Sequence, residues 1–97
     1  MKNLKNIINI LQHEEKFLQE KFYVKEIKLF GSYVRGEATD KSDLDILVDF
    51  KKPISLFTFL DLEEYLESCL GIKVDLVSKK ALRPGIGKYI IEEAISL

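Results

Sequence analysis

The sequence predicts an α/β or α+β fold in which helices cover at least one face of a sheet. Three observations carry that expectation: apolar residues recur at helical spacing in three stretches, three short runs between them are rich in β-formers, and the two kinds alternate along the chain. Ninety-seven residues make room for a single domain, 1–97, because domains usually run to about 100–150 residues. Hydrophobic residues at 46% and charged residues at 32% are an ordinary globular balance. A chain this short buries only about 60–65% of its unfolded surface, so apolar surface is left for a partner, and homo- or hetero-oligomers are expected.

Each element has its own signal. Ile7, Ile8, Leu11, Leu18 and Phe22 mark an amphipathic opening helix, with Glu14, Glu15, Lys16, Glu20 and Lys21 between them. Val24 to Phe30 alternates, with Ile27 and Leu29 on one side of a pleat and Glu26 and Lys28 on the other, and the strand ends at Gly31. Ser32 to Arg35 starts a short helix that Gly36 ends, and Glu37 to Ser42 is a polar loop. Leu44 to Phe50 is a second strand closed off by Lys51, Lys52 and Pro53. Ser55 caps a helix carrying Leu56, Phe59, Leu60, Leu62, Leu66 and Leu70 and stopping at Gly71. A third strand is expected over Ile72 to Ser78, then a turn at Arg83-Pro84-Gly85 and a last helix over Ile86 to Ile95. At helical spacing, Leu56 to Leu60 reads as core, and so does Cys69.

Charge and cysteine count exclude several functions. Fifteen Lys+Arg against sixteen Asp+Glu give a net charge of −1, which lacks the electrostatic footprint of a nucleic-acid-binding protein. Cys69 is the only cysteine, so neither a disulfide framework nor a thiolate zinc site can be built within one chain, which fits a reducing cytosol. The opening residues Met1 to Asn6 lead into alternating polar and apolar positions, and no stretch approaches the roughly 18 apolar residues of a membrane span. A cytoplasmic protein with no membrane partner is expected. His13 has no second histidine with which to share a metal and reads as solvent-facing, and the pairs Lys51-Lys52 and Lys79-Lys80 read as solvated surface.

The acids are unevenly placed. Four of the six aspartates, Asp40, Asp43, Asp45 and Asp49, fall within ten residues. Asp43 and Asp45 stand two apart at the opening of a strand, on one side of it, with Cβ atoms about 6–7 Å apart. At an effective dielectric near 20 two such charges cost each other on the order of 3 kcal/mol, which a shared divalent cation turns into attraction. A plain alternative is that Asp43 caps the loop while Asp45 points into water. The preceding Gly31-Ser32 bend weighs against it, because a strand–Gly–Ser–helix junction offers backbone N–H groups and a hydroxyl to an anion. Asp75 is a lone acid in the otherwise apolar Val74 to Val77, and completes a three-carboxylate site if its strand lies beside the second; otherwise it is an edge-strand acid in water. Arg35 is one of two arginines among fifteen cationic residues, and its planar fork suits a phosphate or a carboxylate, Asp40 and Asp43 being the nearest acids.

Phe30-Gly31-Ser32-Tyr33-Val34-Arg35-Gly36, Ser42-Asp43-Leu44-Asp45-Ile46-Leu47-Val48-Asp49-Phe50 and Val74-Asp75-Leu76-Val77 together resemble the signature of the DNA polymerase β-type nucleotidyltransferase superfamily. The length and the G-S-x-x-R-G form resemble its minimal nucleotidyltransferase branch, the antitoxins paired with HEPN-domain toxins. The resemblance implies a mixed, palm-like sheet, with Gly31 and Ser32 holding the triphosphate of ATP. Asp43 and Asp45 would bind Mg²⁺, two ions in all, and Asp75 would complete the site beside the attacking hydroxyl. In that branch the hydroxyl belongs to a tyrosine of the toxin and the product is AMP-tyrosine. The resemblance gives Arg35 no role of its own; its chemistry makes it a phosphate or carboxylate clamp at the nucleotide.

Two readings compete with transfer to a protein. One is an antidote that silences a partner by covering it, with no catalysis. The other is transfer to a small hydroxylated molecule such as an aminoglycoside, although such enzymes usually carry an extra helical domain that 97 residues do not accommodate. Length also argues against a template-directed polymerase.

Overall fold

A computed structural model describes residues 3–97, with the backbone alone at Ile86. The opening helix α1 (Leu4–Lys21) is capped by Asn3, whose side chain accepts from the Asn6 amide. It is followed by β1 (Val24–Phe30), the four-residue α2 (Ser32–Arg35), β2 (Leu44–Phe50), α3 (Leu56–Leu70) and β3 (Val74–Ser78). A single 3₁₀ turn (Lys79–Ala81) leads to α4 (Ile86–Glu93) and the short strand β4 (Ile95–Ser96). Ser55 caps α3 as expected, accepting from the Thr58 amide, and Gly71 ends it in the left-handed conformation.

The sheet order is β3-β2-β1-β4, so the sheet is mixed: β1 runs antiparallel to β2 and β4, and β2 runs parallel to β3. Helix α3 supplies the crossover that a parallel pair requires. One face of the sheet is the main core. Leu29, Leu44, Ile46 and Val48 are fully buried there together with Ile7 and Leu11 of α1 and Leu62, Leu66 and Leu70 of α3. Side chains alternate across a strand, so Asp45, Leu47 and Asp49 emerge on the other face, with Phe30 opposite Asp45.

Three expectations need correction. The third strand begins at Val74, since Ile72 and Lys73 belong to the turn after α3. The last helix ends at Glu93, and Ile95 leaves it to pair with Leu29 as part of β4. Leu56, Phe57 and Leu60 are exposed, Phe57 at 78%, whereas Phe59 alone of that segment turns inward against Phe50. Cys69 is half-buried, its thiol 3.6 Å from the Glu14 carboxylate. His13 is exposed, its ring nitrogen 2.8 Å from the Asn9 carbonyl. The expectation drawn from Met1 and Lys2 lies outside the described residues. Among the described residues, no helix is long and apolar enough to cross a membrane.

Candidate active site

The site is built where β1 runs out. Gly31 adopts φ 81° and ψ −157°, a region open to glycine and costly for any other residue. Its carbonyl accepts from the amides of Val34 and Arg35, both at 3.1 Å, which closes the turn of α2. Gly36, at φ 74°, ends that turn, and Tyr33 roots it in the core. The amides of Ser32 and Tyr33 open the turn and so have no acceptor within it. Half-buried Ser32 adds a hydroxyl at the same place.

The neighbouring strands bring two acids to this bend. Asp45 lies opposite Phe30 across the antiparallel pair, and in the parallel pair it lies opposite Asp75. Both carboxylates therefore share the face away from the main core, Asp45 next to Gly31 and Asp75 one strand further, against Asp45. The approach is close enough that a Cβ on Gly31 would run into the Asp45 carboxylate, standing 2.8 Å from its Cγ. Only glycine allows main chain and carboxylate to lie this near. Asp43 sits on the loop just before β2, exposed, but close enough for its charge to act on Asp45.

These like charges leave a mark on Asp45. Its carboxyl is pushed up to about 6, first by burial, then by the Asp75 charge and a proton the two can share, then by Asp43, while Arg35 pulls the other way. Carboxylates forced together behave in this way, and a set of hard oxygen donors suits Mg²⁺. Asp45 and Asp75 with Asp43 would hold such an ion. As the side chains stand, no three acid, imidazole or thiolate groups among the described residues are already drawn into a ligand set.

Arg35 closes the other side of the bend. Its Nε donates to Glu37 Oε1 at 3.0 Å and its Nη1 donates to Glu93 Oε1 at 2.6 Å. The second Glu93 oxygen, Oε2, accepts from the Gly31 amide at 2.9 Å. These two bonds hold the Glu93 carboxyl below its usual range. The clamp reading of Arg35 thus finds carboxylates, but Glu37 and Glu93 in place of Asp40 or Asp43. Two of the five guanidinium N–H donors are used, which leaves others for a nucleotide.

Gly31, Ser32, Asp45 and Asp75 are brought together, Asp43 and Arg35 flank them, and Asp40 is not part of the group. The sequence reading missed Glu37 and Glu93. Glu93 is 62 positions from Gly31, and its one trace in the sequence is an acidic pair, Glu92-Glu93, near the end of the last helix.

A mixed sheet that sets acids from two strands against a glycine–serine bend defines the chain as a nucleotidyltransferase. It belongs to the nucleotidyltransferase-domain family, whose pattern residues 11–97 match. The protein adenylyltransferase MntA of Thermococcus cleftensis is 53% identical over 95 residues, which cover 98% of this chain and 96% of that one. A solved structure described as a minimal nucleotidyltransferase superposes with a TM-score of 0.86 at 32% identity, covering 99% of this chain and 97% of the other. A toxin–antitoxin complex with AMP-PNP includes a similar chain, with a TM-score of 0.74 and 26% identity over 96% of this chain and 71% of that one.

Proposed function

We propose that this chain, acting as a single cytoplasmic domain, moves AMP from ATP to a tyrosine hydroxyl of a partner protein, a HEPN-domain toxin that it thereby silences. The observation that carries the reading is the in-register pairing of Asp45 with Asp75 against the Gly31 main chain. The 53% identical adenylyltransferase and the AMP-PNP-bound toxin–antitoxin neighbour support the choice of nucleotide and acceptor class.

The triphosphate lies on the open amides and hydroxyl of the Gly31-Ser32 bend, with Arg35 beside it. Asp43, Asp45 and Asp75 would hold Mg²⁺, which when bound would supply neutralisation of phosphate charge and a lowered pKa at the acceptor hydroxyl. The tyrosine oxygen bonds to the α-phosphorus as the bond to pyrophosphate breaks, and Asp75, the most exposed of the paired acids, takes the hydroxyl proton. No covalent enzyme intermediate is needed.

The test is transfer of labelled AMP to the partner by wild type, Asp43→Asn and Asp75→Asn, with each variant expected to lose at least about a hundredfold in rate. One observation favours a second reading. Leu56, Phe57 and Leu60 leave an apolar face on α3 that a binding antidote would use. If wild type silences the partner without labelling it, the antidote replaces the transferase.

A further inference from the structure

Glu93 lies outside every motif that carries the proposed chemistry, yet it holds the bend on which that chemistry depends. The β1–β4 ladder pairs Leu29 with Ile95 and Lys28 with Ser96, so the register continued by two residues sets Gly31 opposite Glu93. At that point the chain is already helical, because α4 runs to Glu93. The Glu93 side chain takes over from the strand, and its Oε2 accepts the Gly31 amide that a longer β4 would have bound. Its Oε1 meanwhile accepts from Arg35 Nη1. Gly31 precedes α2 and Arg35 ends it, so one carboxylate ties both ends of this four-residue turn to the last helix.

We propose that Glu93 is a positioning residue for the nucleotide: by clasping the Gly31 amide and Arg35 it keeps the Gly31-Ser32 bend at its set distance from Asp45. The main chain of Gly31 lies between two carboxylates, Asp45 against its Cα and Glu93 on its N–H. Release of the second leaves a part-buried amide without a partner, and leaves Arg35 held by the exposed Glu37 alone. Gly31 has no side chain to steady it, so the bend would swing and the open amides of Ser32 and Tyr33 would lose their common aim. The loss falls on the grip for the triphosphate, while the acids of β2 and β3 stay in register because the sheet holds them. Binding should therefore suffer more than turnover.

This inference rests on the nucleotide reading above, and the experiment separates the two. Wild type, Glu93→Gln and Glu93→Asp are compared for AMP-PNP binding by calorimetry, for ATP KM and kcat in AMP transfer, and for the Gly31 and Ser32 amide signals by NMR. Glu93→Gln keeps one acceptor oxygen and loses the charge. We expect AMP-PNP affinity to fall and KM to rise about tenfold, with kcat within about threefold, the Gly31 amide signal shifted and the far-UV spectrum unchanged. Glu93→Asp keeps the charge on a shorter arm and should recover part of the loss. It also serves as the readout if Glu93→Gln fails to fold, in which case a KM equal to wild type refutes the clasp. Unchanged binding and KM in folded Glu93→Gln overturn the inference, and so does tighter binding, which would make Glu93 a competitor of the nucleotide. Wild type that binds no AMP-PNP overturns the nucleotide reading, and the clasp with it.

Discussion

Two carboxylates flank Gly31 and live under opposite electrostatics. Asp45 stands among other acids, half-buried, and is pushed up to about 6; Glu93 meets a guanidinium and a backbone amide, and is held low. The first is a charge set against other charges of the same sign, at a cost to the fold. The second is satisfied within the chain and contributes to holding the fold. An acid repelled by its neighbours and an acid held by them can thus be told apart by partners even where they lie on either side of one residue.

The comparison breaks most completely at Gly31 itself. Gly31→Ala places a Cβ in the Asp45 carboxylate and forces alanine into a conformation reserved for glycine. We expect a stability loss of about 1–3 kcal/mol in chemical denaturation. AMP transfer should drop at least about a hundredfold, since displacement of a reacting group by an ångström has that scale of effect. Near-normal transfer by this variant would mean that the bend does not hold the nucleotide.

Asp45→Asn sharpens the contrast, because it should damage function while helping the fold. Transfer falls by about 10²–10³-fold when a group that stabilises developing charge is lost. The melting temperature without metal at pH 8 should rise, since the amide removes a charge facing Asp75 and Asp43. Mg²⁺ should raise the melting temperature of wild type more than that of the variant. A variant that melts earlier than wild type at pH 8 would show that the Asp45 charge is already balanced.

Much of this corner was legible in the residues. A strand running into Gly-Ser is a local pattern that a tight turn translates directly into geometry, and the pleat of the next strand does the same for Asp45, whereas Asp43, expected beside it on that pleat, stands on the loop just before β2. Asp75 depended on a topological condition, that β3 lie beside β2, and the parallel register meets it. Glu93 was not legible because nothing local marks a contact spanning 62 positions, and β4 was not because two residues are too few to show alternation. The start of α3 misled for a different reason. Leu56, Phe57 and Leu60 have the spacing of a buried stripe, and periodicity finds an apolar face without saying whether this chain or another covers it.

The two acids should also pull stability in opposite directions with pH. The folded Asp45 holds its proton up to about 6 against an ordinary value of 3.8, so the folded state binds more protons in that window. Its contribution weakens the fold as pH rises from about 4 to 6 and stays unfavourable above. Glu93 is shifted below 4.5, so its contribution is present above that value and is lost as pH falls further. Denaturant melts across pH 3 to 8 should therefore show Asp45→Asn gaining on wild type as pH rises, and Glu93→Gln losing its disadvantage in acid. Parallel curves for both variants would remove the distinction between the two carboxylates.

The smallest effect concerns the other acid on Arg35. Glu37 accepts from Nε at 3.0 Å, but both side chains are largely in water, 47% and 64% exposed, whereas the Glu93 side chain is 29% exposed and also holds the Gly31 amide. An exposed pair loses in side-chain entropy and salt screening most of what it gains in attraction. Glu37→Gln should therefore shift the melting temperature by less than about 5 °C and the KM for ATP by less than about twofold. The two acids differ in reach more than in charge, since Glu37 is two residues beyond Arg35, just past the end of α2, and ties nothing distant to the bend. A KM rise in Glu37→Gln as large as that in Glu93→Gln would mean that the charge on Arg35 alone governs nucleotide binding, and that the bond from Glu93 to the Gly31 amide does not matter.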